Sequence, residues 1–325
     1  MKNRILTALA AGLATATLAV SAQAQQQLRV VSFIPQAIPL ATGFQAFIDG
    51  INDEFAGEVQ LNWIGGPEVI NPFDLADAVR NGAIDVALIS PSYYSGTVPA
   101  STTNNLSMKT YEEIRGTGYY ERLDELHADR GLKFWGEIPA SEIGFNIWLG
   151  DEITSLDDIR GKRIRVFPTA QPFLEAMGAN TTIMPIGEIF TAMERGVIDG
   201  FVQGNQGWAP QYGDVVSHYV SPQFYRAGFN VLVNQDAWNR MSEDLRERLQ
   251  TYLRDDLAYQ LEAESWDQYL ALGEQEIEEA GYVELRLEGD DAEDYLNQSL
   301  ETAWDLMRED LGEDLANELM DMLVD

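Results

Sequence analysis

Cysteine is absent from the 325-residue chain, which excludes disulfide bonds, thiolate catalysis and Cys-ligated zinc or iron–sulfur sites. Histidine is nearly absent. His127 and His218 are the only two and stand far apart in sequence, so no multi-histidine metal site is expected. Positive charge is scarce as well, with 21 Lys+Arg against 53 Asp+Glu and a formal net charge of −32. Such a chain repels nucleic acid and anionic lipid over most of its surface, so nucleic acid is not an expected partner. Beyond the N-terminus no apolar run approaches the ~20 residues of a membrane-spanning helix. No Gly-x-Ser-x-Gly elbow or His-Glu-x-x-His pair is present, which counts against an exported hydrolase or lyase. What remains is ordinary for a folded protein of about two domains, with 45% hydrophobic and 23% charged residues. Its chemistry must come from carboxylates, arginine, tyrosine, amides and backbone.

The N-terminal segment reads as an address. Lys2 and Arg4 precede an apolar run from Ile5 to Val20, and Ala22-Gln23-Ala24 fits the small-x-small cleavage pattern. A signal peptide over residues 1–24 is therefore expected, and its removal would take the formal charge to about −34. The expected location is the periplasm.

Strand-like and helix-like segments alternate beyond it. Strands are expected at Leu28–Phe33, Val59–Ile64, Ile84–Ile89, Leu132–Ile138, Phe145–Trp148, Arg163–Phe167 and Phe229–Val233, with helices at Ala41–Phe55 and near Asp74–Asn81. The class is α/β, and the alternation implies largely parallel sheets. One internal echo carries more weight. Ala78-Val79-Arg80-Asn81-Gly82-Ala83-Ile84-Asp85 resembles Ala192-Met193-Glu194-Arg195-Gly196-Val197-Ile198-Asp199. Each reads as a helix end, a glycine suited to the left-handed cap, and a strand start at Asp. Two similarly built lobes would enclose a solute between their strand ends, as a clamshell does. Ser242–Ala280 has no proline and one glycine, Gly273, and leucines at 245, 249, 253, 257 and 261 lay a helical stripe. That stretch either breaks near Gly273 or runs ~58 Å as a spine shared by both lobes. Asp290–Leu323 also reads as helices with solvated acidic faces.

The most informative stretch is Ser155–Trp208. Asp158, Gly161, Lys162, Arg165, Gly178, Pro185, Glu188, Ala192, Gly196, Asp199 and Gly200 fall in one characteristic spacing. This resembles the central signature of the solute-binding proteins of TRAP (tripartite, ATP-independent periplasmic) transporters. The likeness extends through Gly65-Gly66-Pro67-Glu68, Gly82–Asp85 and Tyr93-Tyr94, and into the spine helix. The resemblance implies a two-lobed periplasmic-binding-protein fold with a long helix spanning both lobes. Residues 25–143 with about 233–270 would form the first lobe, and 144–232 with about 271–325 the second. It also implies a receptor that captures a small organic acid by hinge closure and hands it to the small and large integral-membrane subunits of a permease. No catalysis, cofactor or metal is implied. The two-lobed architecture equally suits the binding protein of another importer or a sensor.

By the same resemblance, Arg165 pairs with the ligand carboxylate, while Arg163 of the same Arg-Ile-Arg triplet is solvated. A guanidinium suits that role because its paired donors match a carboxylate. Where many members carry a ligand-bonding Asn, this chain has Gln203, with Asn205 two residues on. Where many carry a second Arg, it has Phe145 and Asn146. Losing that cation favours a monocarboxylate with an apolar, hydroxylated or ring-bearing body. Tyr93, Tyr94, Phe145, Phe167 and Trp208 fall at expected strand ends or ligand loops and are candidate walls. Phe33 and Glu68 are candidates from the first-lobe loops. Glu68 would orient Arg165, meet a ligand hydroxyl or cap the helix that follows.

Overall fold

A computed structural model describes residues 25–107, 109–204 and 208–324. The expected signal peptide and Asn205 lie outside them. The chain first builds β1 (Gln26–Ser32), β2 (Val59–Gly65), β3 (Val86–Ile89) and β4 (Leu132–Ala140). It then crosses into β5 (Phe145–Leu149), β6 (Arg163–Val166), β7 (Asn180–Ile183), β8 (Gly200–Gln203) and β9 (His218–Phe224). It returns through β10 (Ala227–Asn234), and β11 (Val283–Arg286) comes last. Two sheets result, ordered β2-β1-β3-β10-β4 and β11-β9-β5-β8-β6-β7. This is a two-lobed α/β fold.

The sheets are mixed, where strand–helix alternation alone implied largely parallel ones. β10 runs antiparallel to β3 and β4, and β5 antiparallel to β8 and β9. Every antiparallel pair contains β5 or β10, the strand that enters its sheet from a crossing, since a chain leaving one sheet and later returning must reverse direction. Residues 141–144 and 225–226 are these two crossings, and the Ala227 N–H donates to Ile143 O at 2.7 Å to tie them together. β7, β9 and β11 were not foreseen, and β8 only as the strand start at Asp199; β7 and β11 are short, half-exposed edge strands with little apolar alternation.

The spine differs too. Glu243–Tyr252 continues through a π-helical turn at Leu253–Leu257 into Ala258–Glu264, and a separate helix spans Asp267–Ala280. The break falls at Ser265–Trp266 and leaves Gly273 inside a helix. Trp266 causes it: the buried indole donates to Pro139 O at 2.7 Å and lies against Gly43, where a Cβ would stand 2.3 Å from the ring. Among the described residues the longest unbroken helix is Gly289–Leu311, which packs on both Pro99–Leu106 and Gln171–Ala176. It bridges the two halves. The following helix, Glu313–Leu323, packs back on it.

Candidate functional site

The echo seen in the sequence is a structural repeat. In the first lobe, Gly82 takes φ +74° after Leu75–Arg80, and Asp85 opens the way into β3. Arg29 on β1 donates its backbone N–H and Nε to Asp85 Oδ2, both at 2.9 Å. In the second lobe, Gly196 takes φ +62° after Ile189–Glu194, and Asp199 leads into β8. Arg163 on β6 donates its N–H (2.7 Å) and Nε (3.0 Å) to Asp199 Oδ2. The registers agree, with Val30 opposite Val86 and Ile164 opposite Gly200. Both corners end at the cleft. Phe33 and Phe167, each four residues beyond its arginine, line one cavity, as do Ser90 and Gly204, each five beyond its aspartate.

That cavity lies between the lobes. The space open to the centres of water-sized groups is about 80 Å³, where a single water needs ~10–15 Å³. It suits a solute of a few to several heavy atoms. Phe33 packs at 5.3 Å on Tyr93 and 5.7 Å on Phe229, while Phe145 meets Phe167 at 4.7 Å. The walls are mostly apolar, with aromatic rings from both lobes.

Arg165 supplies the charge. It follows Arg163 by two on β6, so strand alternation turns it to the same side of the sheet as Arg163 but at the cleft end. It is 3% exposed. Nε donates to Met184 O and Nη1 to Val202 O, both at 2.9 Å, and Nη2 reaches Tyr93 Oη at 3.5 Å. A guanidinium has five N–H groups. One on each terminal nitrogen is left to donate. Among the described residues no carboxylate stands within 4.0 Å. Burial lowers the Arg165 pKa from its ordinary value, against the pull of Tyr93. An anion brought into the cavity relieves that condition.

The lobes touch above the site. Tyr93 Oη, from the first lobe, accepts the Ile186 N–H at 3.2 Å as well as Arg165 Nη2. Both lone pairs of the phenol are thus engaged, and its own proton is left to donate. Ser92 Oγ and Thr169 Oγ1, 2.9 Å apart and buried, form a second bridge. This is a shut form.

Six residues expected at the site line the cavity: Phe33, Tyr93, Phe145, Arg165, Phe167 and Gln203. Four do not. Tyr94 turns into the first-lobe core, where Asn230 Nδ2 donates to its Oη at 2.6 Å and His127 Nε2 lies 2.9 Å away. Asn146 faces away from Phe145, its strand neighbour, donating to Val220 O and accepting from Gln223. Trp208 belongs to the second-lobe core, edge-on to Trp148 at 4.6 Å and Phe201 at 5.2 Å. Glu68 closes its own loop by accepting the Gly66 N–H at 2.7 Å, and contacts neither Arg165 nor the cavity. Arg163, expected to be solvated, is half-exposed and also paired with Asp199.

The sequence reading missed Asn105, Phe229 and Tyr269, which also line the cavity. Asn105 lies in Pro99–Leu106, a Ser/Thr/Asn-rich stretch that reads as a solvated loop yet is buried almost throughout. Arg226 holds it there. The Arg226 N–H donates to Asn105 O at 3.1 Å, and Asn105 Nδ2 donates to Arg226 O at 2.8 Å. The Arg226 side chain is itself buried against Glu137. Burial raises the Glu137 pKa, against the pull of Arg226 and the Tyr120 hydroxyl. Gly228 allows this approach, since a Cβ there would stand 1.9 Å from Glu137 Oε1.

The family model described as bacterial extracellular solute-binding protein, family 7 (DctP) matches residues 30–310. A monocarboxylate 2-oxoacid-binding periplasmic protein from a Nostoc species is 24% identical over 240 residues, 69% of this chain and 64% of the relative. The chain thus spans just under two thirds of that relative's length. A TRAP periplasmic solute-binding protein from Desulfovibrio salexigens, solved with orotic acid, superposes with TM-score 0.78 at 17% identity over 92% of this chain and 97% of that one. A Bordetella pertussis extracytoplasmic solute receptor binding pyroglutamic acid superposes with TM-score 0.73 at 16% identity, covering 91% and 99%. At these identities the likeness carries the fold.

Proposed function

The chain belongs to the bacterial extracellular solute-binding protein family 7, and from that premise we propose that it captures a small organic monocarboxylate by closing two lobes over it. Arg165 binds the carboxylate through its two unused N–H groups, Tyr93 adds its O–H, and the apolar walls exclude water. The observation that carries this reading is a buried guanidinium, open to a cavity, without a carboxylate partner among the described residues. Elsewhere the molecule pairs its fully buried arginine with a glutamate, as Arg226 and Glu137 demonstrate. Arg165 is the exception, and the solute supplies the missing anion.

One cation and a small, mostly apolar chamber favour a single carboxylate, in keeping with the acids that the Nostoc, Desulfovibrio and Bordetella proteins are described as binding. Closure is the transport signal: the Tyr93–Ile186 and Ser92–Thr169 bridges join the lobes only when shut, and the closed form engages the small and large membrane subunits of a TRAP permease. The working place is the periplasm, reached through a cleaved leader over residues 1–24. Among the described residues no helix is long and apolar enough to cross a membrane. The two working units follow the crossings, residues 25–143 with about 227–270 and 144–226 with about 271–325, which moves the expected boundary at 232 back to 226 because β10 lies in the first sheet.

A thermal-shift screen of the purified protein against small organic acids tests this. A true ligand raises the melting temperature progressively with its concentration. A library of mono- and dicarboxylates that leaves the transition unmoved contradicts the reading.

A further inference from the structure

Resting on the receptor reading above, we infer that Asn105 determines specificity: its side-chain carbonyl selects acids that carry a second, hydrogen-bond-donating group, a hydroxyl or an N–H, over their unsubstituted parents.

The sign of the amide is fixed by its neighbours. Nδ2 donates to Arg226 O at 2.8 Å, and a backbone carbonyl can only accept. Turning the amide over would set oxygen against oxygen. The bracket is rigid as well, because the Arg226 N–H returns to Asn105 O. The Arg226 side chain is anchored by Glu137 and by donation to Lys109 O at 3.3 Å. Ala227, next along, is tied to Ile143 across the hinge.

Asn105 Oδ1 therefore has one role, that of acceptor. It meets no donor among the described residues, and unlike Asn104 Oδ1 it is not sealed away inside the protein. The residue lines the cavity and its Nδ2 is held by Arg226 O, so we place the oxygen on the cavity side. The other polar groups of the wall, apart from the Tyr269 phenol, which carries both a donor and an acceptor, are committed differently. Arg165 and Tyr93 offer donors, which suit the carboxylate. Ser92 is spent on Thr169, Ser90 can turn its hydroxyl to either role, and Gln203 Oε1 is sealed in protein. A bound acid with only an apolar body would cover Asn105 Oδ1 and leave it unpaired. An acid with a second donor satisfies it. Sites that hydrogen-bond a substrate hydroxyl discriminate strongly against analogues lacking it, because the unpaired group keeps its desolvation cost.

The test is calorimetric and uses matched probes: propionate, lactate and 3-hydroxypropionate; benzoate and its three hydroxy isomers; cyclopentanecarboxylate and pyroglutamate. In the native protein at least one donor-bearing member should bind at least about tenfold more tightly than its parent. In Asn105→Ala that gap should shrink to within about twofold, with near-ultraviolet circular dichroism reporting the packing. Parents that bind the native protein as tightly as every derivative overturn the inference while leaving the receptor reading intact. A preference that persists in a folded Asn105→Ala overturns it too. Should Asn105→Ala not fold, the native series alone decides. If no probe binds the native protein, the receptor reading itself falls.

Discussion

The β1–β3 corner of the first lobe and the β6–β8 corner of the second share one frame and diverge at one position. Each has an arginine clamped to an aspartate beyond a left-handed glycine, and each sends a phenylalanine to the cavity. Two residues past the arginine, the first lobe has Val31 and the second has Arg165, both buried. The clamp is therefore architecture, fixing where two strands end, and on the proposed reading the charge serves the solute, placed on a frame that does not need it. The first lobe keeps its buried polar atoms neutral at this point, or pairs them as Glu137 with Arg226. The second leaves a cation waiting.

The largest effect should come from forcing the corners to match. Val31→Arg puts a charge into a strand interior beside Gly65 and Ala87 with no open cavity to receive it. It should cost more than about 3 kcal/mol in urea unfolding. A folded variant of native stability would show that the two positions are equivalent after all.

Acid should separate the lobes next. His127 donates Nδ1–H to Leu123 O and accepts the Tyr94 hydroxyl proton at Nε2, and burial lowers its pKa to about 4. An unfolded histidine titrates near 6.5. The unfolded chain thus binds the proton first, so the contribution is full above pH ~6.5 and falls away as the pH drops toward about 4. The loss is on the order of 3 kcal/mol across that window. His127→Gln should flatten this part of the stability–pH curve, and an unaltered slope would contradict the assignment.

A smaller effect of opposite sign is expected at Arg165. Arg165→Met removes an unpaired buried cation at similar volume and should raise the ligand-free unfolding free energy by about 1 kcal/mol. A clear loss of stability would mean that Arg165 serves the fold. Smallest of all, Arg29→Ala and Arg163→Ala break matched, half-exposed ion pairs. Each should cost no more than about 1 kcal/mol and leave solute affinity within about twofold. Unequal losses would break the equivalence of the corners.

Much of this frame is legible in the sequence, and the limits have physical causes. The helix–Gly–Asp echo survives because a left-handed cap and a clamped aspartate constrain residue types locally. Arg165 is legible only through the family resemblance of Ser155–Trp208, since an Arg-Ile-Arg triplet by itself reads as a solvated strand edge. Adjacent pairs are harder: Tyr93 and Phe145 face the cleft while Tyr94 and Asn146 turn away, and nothing in the sequence says which neighbour of such a pair turns inward. Trp208 looks like a wall residue because it follows a strand end, but a core of Trp148, Phe201 and Tyr212 claims it. Asn105 is invisible because its burial depends on Arg226, far away in the chain. Trp266 breaks the spine for the same reason, since its partners Gly43 and Pro139 come from other elements.

The central claim concerns one guanidinium, and titration calorimetry reaches it directly. With an acid that stabilises the native protein, Arg165→Met should lose about 2–5 kcal/mol of binding free energy, at least a tenfold weaker affinity, while remaining folded. An affinity unchanged in a folded Arg165→Met would contradict the account.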